Sequence, residues 1–95
     1  MRFQLTNAAV ADIKRIAEHT QSTWGIEQRG EYLSRLDASF HTIAANPGIG
    51  KNRDDIREGY QSHPVGRHFV FYRVEGEVVT IVRVLHQSMD VKRQL

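Results

Sequence analysis

Three of the arginines, two of the histidines and both tyrosines in the second half of this chain carry some of the parts of a phosphate-directed site. Arg57, Arg73 and Arg83 supply planar guanidinium forks that match phosphate or carboxylate oxygens. His68 and His86 can exchange a proton near neutral pH, and Tyr60 and Tyr72 end flat apolar rings in a hydroxyl. Cutting RNA by 2′-hydroxyl attack needs a proton acceptor, a proton donor and cations for the charge of the transition state. His86 as base with Arg57 and Arg83 on phosphate would begin such a set, but nothing completes the acid–base pair. The same mixture of Tyr, Arg and His is also what protein interfaces favour. Arg83 is the most constrained of the group. It stands mid-strand among Val79, Ile81 and Leu85, where a charge needs a partner or water. An ion pair with Asp90 or Glu31 would be a structural role, and contact with a partner protein a functional one. The sequence leans to the second, because His68 is expected opposite Arg83 and brings no negative charge.

Other chemistry-bearing residues carry less. His19, His41 and His63 have no His, Asp or Glu at metal-ligand spacing, and no metal or other cofactor is expected. His68 and His86 are expected on opposite faces of the sheet, unable to share an ion, as satisfied members of its hydrogen-bond network. Ser34, Ser39, Ser62 and Ser88 lack the context of a nucleophile. Gly48-Ile49-Gly50-Lys51-Asn52 follows a helix rather than a strand and lacks a Gly-Lys-Ser/Thr ending, so it reads as a connector and not a phosphate loop. Lys51, Arg53 and Arg67 read as a solvated rim.

The elements that must position these residues are legible. His68–Val74 and Glu77–His86 flank Glu75-Gly76, a hairpin signal, since Gly accepts the positive φ that favoured two-residue turns require. That loop sets Val70 opposite Ile81 and Tyr72 opposite Val79. Both hairpin faces are then apolar, whereas a half-exposed antiparallel sheet alternates. Something must cover the second face: a partner protein, a second copy or the chain's own tail. Phe3 and Leu5 alternate with polar neighbours in a short opening strand. Thr6 or Asn7 caps a helix, with Asp12 near its positive end and Ala9, Ile13, Ile16, Ala17 and Thr20 on one stripe. Trp24-Gly25 breaks it, with Trp24 expected to bury against the next helix. That second helix runs from about Ile26 to Ala45, with Leu33, Leu36, Phe40, Ile43 and Ala44 inward, and Asn46-Pro47-Gly48 stops it. A strand is expected over 56–65. The order β-α-α-β-β-β predicts an α+β domain spanning 1–95, a helical hairpin packed on a small antiparallel sheet.

Composition narrows the class. Ninety-five residues make one domain with a modest core. No cysteine is present, which removes disulfides, thiolate metal sites and a Cys nucleophile and suits a reducing cytoplasm. No apolar run is long enough to span a membrane, and no signal peptide is visible at the start. The net charge is +2 and the pI near 9.3, with the excess in residues 51–95. That bias permits an acidic or nucleic-acid partner without requiring one.

Three stretches carry a family resemblance: Asp54-Asp55-Ile56-Arg57-Glu58-Gly59-Tyr60, then Val65-Gly66-Arg67-His68-Phe69-Val70-Phe71-Tyr72-Arg73, then Val82-Arg83-Val84-Leu85-His86-Gln87-Ser88-Met89-Asp90. Together with Ala9-x-x-Asp12-Ile13, Thr23-Trp24-Gly25 and Asn46-Pro47, they resemble the ParE branch of the RelE/ParE toxin superfamily over essentially the whole chain. The resemblance implies a RelE/ParE-like fold and the toxin half of a toxin–antitoxin pair, neutralised by a ParD-like antitoxin. It implies inhibition of DNA gyrase by binding, and contact with operator DNA only through the antitoxin. RelE-type relatives cut ribosome-bound mRNA on the same fold, so fold alone does not choose the target. This chain departs from the RelE scheme at Phe69, where a sheet arginine is expected, and has no tyrosine after Tyr72. The alternatives are an mRNA interferase using His86, Arg57 and Arg83, and a non-toxic member that binds antitoxin and co-represses. Arg57, Tyr60, His68, Tyr72, Arg73 and Arg83 are expected to meet target or antitoxin. His86, Met89 and Asp90 join them because toxicity in this family is associated with the C-terminal region, here expected to fold back on the hairpin.

Overall fold

Thr6 joins the first strand to the first helix and ties both to the sheet. In a computed structural model describing residues 1–95, β1 (Arg2–Leu5) ends at Thr6, the N-cap of α1 (Asn7–Trp24). The Thr6 Oγ1 accepts from the Ala9 amide at 3.0 Å and donates to the Val82 carbonyl at 2.7 Å. A cap of this kind satisfies an amide that has no partner inside the helix. Gly25, at φ +94°, is the entire link to α2 (Ile26–Ala45). A side chain there would be strained, so the tight elbow depends on glycine. After Asn46, Pro47–Ile49 forms one 3-10 turn.

Five strands follow the order β1-β5-β4-β3-β2, with β2 at Lys51–Asn52, β3 at Gln61–Val65, β4 at His68–Glu75 and β5 at Val78–His86. β1 runs parallel to β5, with both helices and the other three strands between them in sequence, and the other pairs are antiparallel. A short α3 (Val91–Gln94) ends the chain. The α+β helical hairpin on a sheet is as predicted, with β2 and the parallel β1–β5 pair added.

The hairpin register differs from the prediction. Glu75 pairs with Val78, so Gly76-Glu77 is the loop. Only its first residue has a positive φ, the pattern of a type II′ turn. Tyr72 lies opposite Ile81 and Phe71 opposite Arg83, leaving Val82 as the extra residue of a bulge. A bulge breaks the alternation of faces. Val79, Ile81 and Val84 consequently all reach the helix-side core with Leu36, Phe40, Ile43, Val70 and Tyr72. Beyond the bulge His68 pairs with His86, not with Arg83.

Two further expectations are corrected. Residues 56–60 are not strand: Asp54 Oδ1 accepts from the Gly59 amide at 2.8 Å and the Arg53 amide donates to the Tyr60 carbonyl at 2.8 Å, closing a loop. Asp side chains favour such local turns over strand pairing. The second sheet face is not left bare either. Ser62, Phe71, Thr80, Val82 and Leu85 are buried within the single chain. The Arg53 guanidinium lies 5.6 Å from the Phe71 ring centroid, Gln4 Nε2 donates to Thr80 Oγ1, and Arg83 Nη1 holds the tail by the Gln94 carbonyl at 2.8 Å. The tail thus folds back as predicted, and the β2–β3 loop shares the covering.

Candidate functional site

Asp12 is the one carboxylate on the apolar stripe of α1, and Arg83 is the one charge amid the apolar run of β5. The fold brings them together. Asp12 is 2 % exposed and Arg83 15 % exposed at the side chain. Arg83 Nε donates to Asp12 Oδ2 at 2.7 Å and Nη2 to Oδ1 at 2.8 Å, a two-pronged pair. The Val84 amide donates to Oδ2 at 3.0 Å, and Arg15 also bonds Oδ1. β1 stops pairing at Ile81, so Asp12 meets a β5 amide that would otherwise face an apolar helix. Hydrogen bonding to Asp12 strengthens the protonated form of Arg83. The expected partners Asp90 and Glu31 are thereby corrected to Asp12. The signal was present in the sequence: an Asp three residues after Ala9 and four before Ile16 lies on the buried stripe and requires a cationic partner.

The other candidates separate. Tyr72 is fully buried; its hydroxyl donates to the Pro47 carbonyl at 2.7 Å and accepts from the Gly50 amide at 2.9 Å. Burial raises its pKa. Gly50 has no room for a side chain, since a Cβ would overlap the Tyr72 ring. Tyr60 is buried under the covering loop, with its hydroxyl 3.5 Å from Arg73 Nη1. Arg73 is bonded to Glu75, which raises its pKa. Arg57 is exposed on the β2–β3 loop, and Met89 and Asp90 are exposed beyond β5.

His68 and His86 stand side by side instead of on opposite faces, with ring centroids 5.2 Å apart and planes nearly perpendicular. They close one side of a cleft of ≈ 460 Å³ at the elbow of the helices, where His19, Trp24, Gln28, Tyr32, Arg35 and Arg67 also line the wall. The Tyr32 hydroxyl lies 2.9 Å from the Val65 carbonyl and 2.5 Å from His68 Nδ1. Burial, and then the neighbouring His86 and His19, push the His68 pKa down to about 4. At neutral pH His68 is therefore uncharged. His86 Nδ1 accepts from the Ser88 amide at 3.1 Å, which places the proton of its neutral ring on Nε2. Trp24, expected to be buried, is 70 % exposed. With Gly25 alone as the link, the indole at the last position of α1 projects past the elbow. Of the residues around the cleft, sequence reasoning had selected only His68 and His86. No grouping of His, Cys, Asp and Glu suits a metal ion.

The fold, the hairpin and the Asp12–Arg83 pair now stand beside known proteins. A family described as "ParE toxin of type II toxin-antitoxin system, parDE" matches residues 3–91. This chain belongs to the ParE toxin family. Toxin ParE1 of Mycobacterium tuberculosis is 45% identical over 95 residues, covering 99% of this chain and 97% of that one. Toxin ParE1 of Caulobacter vibrioides is 41% identical, covering 98% and 96%. A solved chain from the chromosomal ParDE TA system of P. aeruginosa superposes with a TM-score of 0.79, at 19% identity and with 90% of this chain and 95% of that chain covered; that likeness speaks to the fold. The chain is thus a ParE toxin of a type II toxin–antitoxin system, and no helix in it is long and apolar enough to cross a membrane.

Proposed function

We propose that this ParE toxin acts by binding and not by catalysis, with DNA gyrase as its target and a ParD-like antitoxin as its neutralising partner in the cytoplasm. The observation that carries the choice of mechanism is the engagement of Arg83. An RNA-cutting site needs cations free to meet phosphate, and this guanidinium is committed to Asp12 and to the Gln94 carbonyl. Arg57 does not complete the set. It precedes the Gln61 end of β3, whereas His86 pairs at the His68 end, next to Val65. Four residues of strand separate the two ends, about 13 Å at ~3.3 Å per residue. Full-length similarity to proteins named Toxin ParE1 supports the same reading. Trp24 and Ile26, both about two-thirds exposed at the helical elbow, are apolar anchors of the kind an antitoxin segment covers. A segment disordered when free would order on binding and stay sensitive to proteolysis.

The test is expression without antitoxin, followed by two target assays on the purified toxin. Gyrase supercoiling should be inhibited, or cleaved DNA trapped, and programmed ribosomes should show no new mRNA cuts. Codon-specific cleavage that disappears in His86→Ala would replace this reading with the interferase. Normal growth, together with intact antitoxin binding, would identify a co-repressor instead.

A further inference from the structure

The cleft at the helical elbow has the composition of a ligand site. Six side chains from five elements define it: Trp24 from α1, Tyr32 and Arg35 from α2, Arg67 from the β3–β4 turn, His68 from β4 and His86 from β5. Its ≈ 460 Å³ falls within the range of small-molecule sites, about 300–1,000 Å³. No carboxylate lines it. Arg35 and Arg67 take part in none of the chain's ion pairs, so two guanidiniums enter an acid-free concavity without counter-charge.

The wall behind them is fixed. Tyr32 is held by Val65 and His68, and the Arg35 guanidinium lies 5.6 Å from the Tyr32 ring centroid. Gly66, at φ +55°, lets the β3–β4 turn press on that ring, where a Cβ would come within 2.8 Å of it. The turn that carries Arg67 is thereby seated against the residue that carries Arg35's stacking partner. His86 offers an Nε2 proton as a further donor, and the exposed indole of Trp24 presents a flat apolar face.

We propose that this cleft binds a nucleoside phosphate, with its phosphates between Arg35 and Arg67 and its base on Trp24. Guanidinium forks match phosphate oxygens bidentately, and aromatic faces accept a base whatever its hydrogen-bonding edge. A carboxylate-bearing peptide would use the arginines but has no general need for the indole. A small concavity also holds one compact planar anion better than an extended chain. The site does not depend on the gyrase reading, and either can fail alone.

Trp24 is the only tryptophan, so its fluorescence reports the site directly. Titration of the full-length chain with ADP should give saturable quenching. Ribose 5-phosphate should compete without quenching, and adenosine should bind at least tenfold more weakly than ADP. Arg35→Gln and Arg67→Gln should each weaken ADP at least tenfold with an unchanged melting temperature, while Lys14→Gln on the exposed side of α1 changes nothing. Trp24→Ala, followed by calorimetry, should erase the preference for ADP over ribose 5-phosphate. The proposal is overturned if the Arg35→Gln/Arg67→Gln double variant binds ADP as the parent does. It is equally overturned if inorganic phosphate binds as tightly as ADP, or if only oligonucleotides saturate the signal, which would make the surface a polynucleotide track.

Discussion

Removing Asp12 should damage the fold more than removing Arg83, although the two form one ion pair. Asp12→Ala leaves the Arg83 guanidinium mostly buried and the Val84 amide without its acceptor. Breaking a buried pair by deleting one partner costs about 3–5 kcal/mol. The whole domain is expected to hold about 5–14 kcal/mol at ~0.05–0.15 kcal/mol per residue. The melting temperature should fall by at least about 12 °C, at ~4–8 °C per kcal/mol for a domain of this size. Arg83→Met leaves a different situation. Asp12 keeps Arg15 and the Val84 amide, and the thioether chain fills the space beside Val84. The loss should be about 1.5–3 kcal/mol, the range for hydrogen bonds to a charged group. Urea unfolding followed by circular dichroism measures both, and the double variant Asp12→Ala/Arg83→Met should cost less than the sum of the two. An Asp12→Ala cost below about 1 kcal/mol, or an Arg83→Met cost exceeding it, would refute the account of Asp12 as the hub.

Tyr72→Phe should destabilise by about 1–3 kcal/mol without altering the fold, because it leaves the Gly50 amide and the Pro47 carbonyl without their shared partner; a thermal melt reads it, and an unchanged midpoint would mean that water replaces the hydroxyl. Stability should also fall as the pH drops from 6.5 through about 4, because the unfolded chain protonates His68 at its ordinary pKa of 6.5 while the folded chain resists until about 4. At face value this shift corresponds to about 3 kcal/mol, and the cleft's solvent access reduces it to roughly 1–2 kcal/mol; His68→Gln should flatten that part of the pH profile, and an identical slope would count against a neutral His68.

Periodicity located both helices and the hairpin because those features are local. The stripe Leu36, Phe40, Ile43, Ala44 is buried where a 3.6-residue repeat puts it. What escaped was set by contacts distant in sequence. The bulge at Val82 is invisible in a run of β-branched residues, each of which fits either face. Its cause lies some seventy residues away: Thr6 bonds the Val82 carbonyl and Asp12 the Val84 amide, fixing β5 from the side of α1. The displaced turn shifts the pairing by two residues and the bulge by one more, which together move Arg83 from opposite His68 to opposite Phe71 and bring His86 beside His68. Residues 56–60 depart from the expected strand for the reverse reason. Ile56 and Tyr60 suggested strand, but Asp54 and Gly59 carry the local turn chemistry that prevailed. For the cleft, Trp24, Tyr32, Arg35 and Arg67 lie too far apart in sequence to form a motif, and only the one-residue elbow at Gly25 draws the two helices together.

Arg83 shows why counting cations misdirects a search for function. By composition it is the most conspicuous charge on the sheet, and its position in an apolar strand suggested a contact surface. Each nitrogen nevertheless has a partner inside the chain: Nε and Nη2 on Asp12, Nη1 on the Gln94 carbonyl. A target would have to displace bonds already made in a mostly buried setting, and would strand Asp12 in doing so. The residue instead acts as a clamp joining α1, β5 and the tail, and its removal should lower toxicity and antitoxin binding together through the fold. Charges available to a partner are those without an internal counter-ion. Arg57, Arg35 and Arg67 meet that condition, and only the last two converge on a common cavity. A partner recognised through charge should therefore be sought at the elbow of the helices before the centre of the sheet.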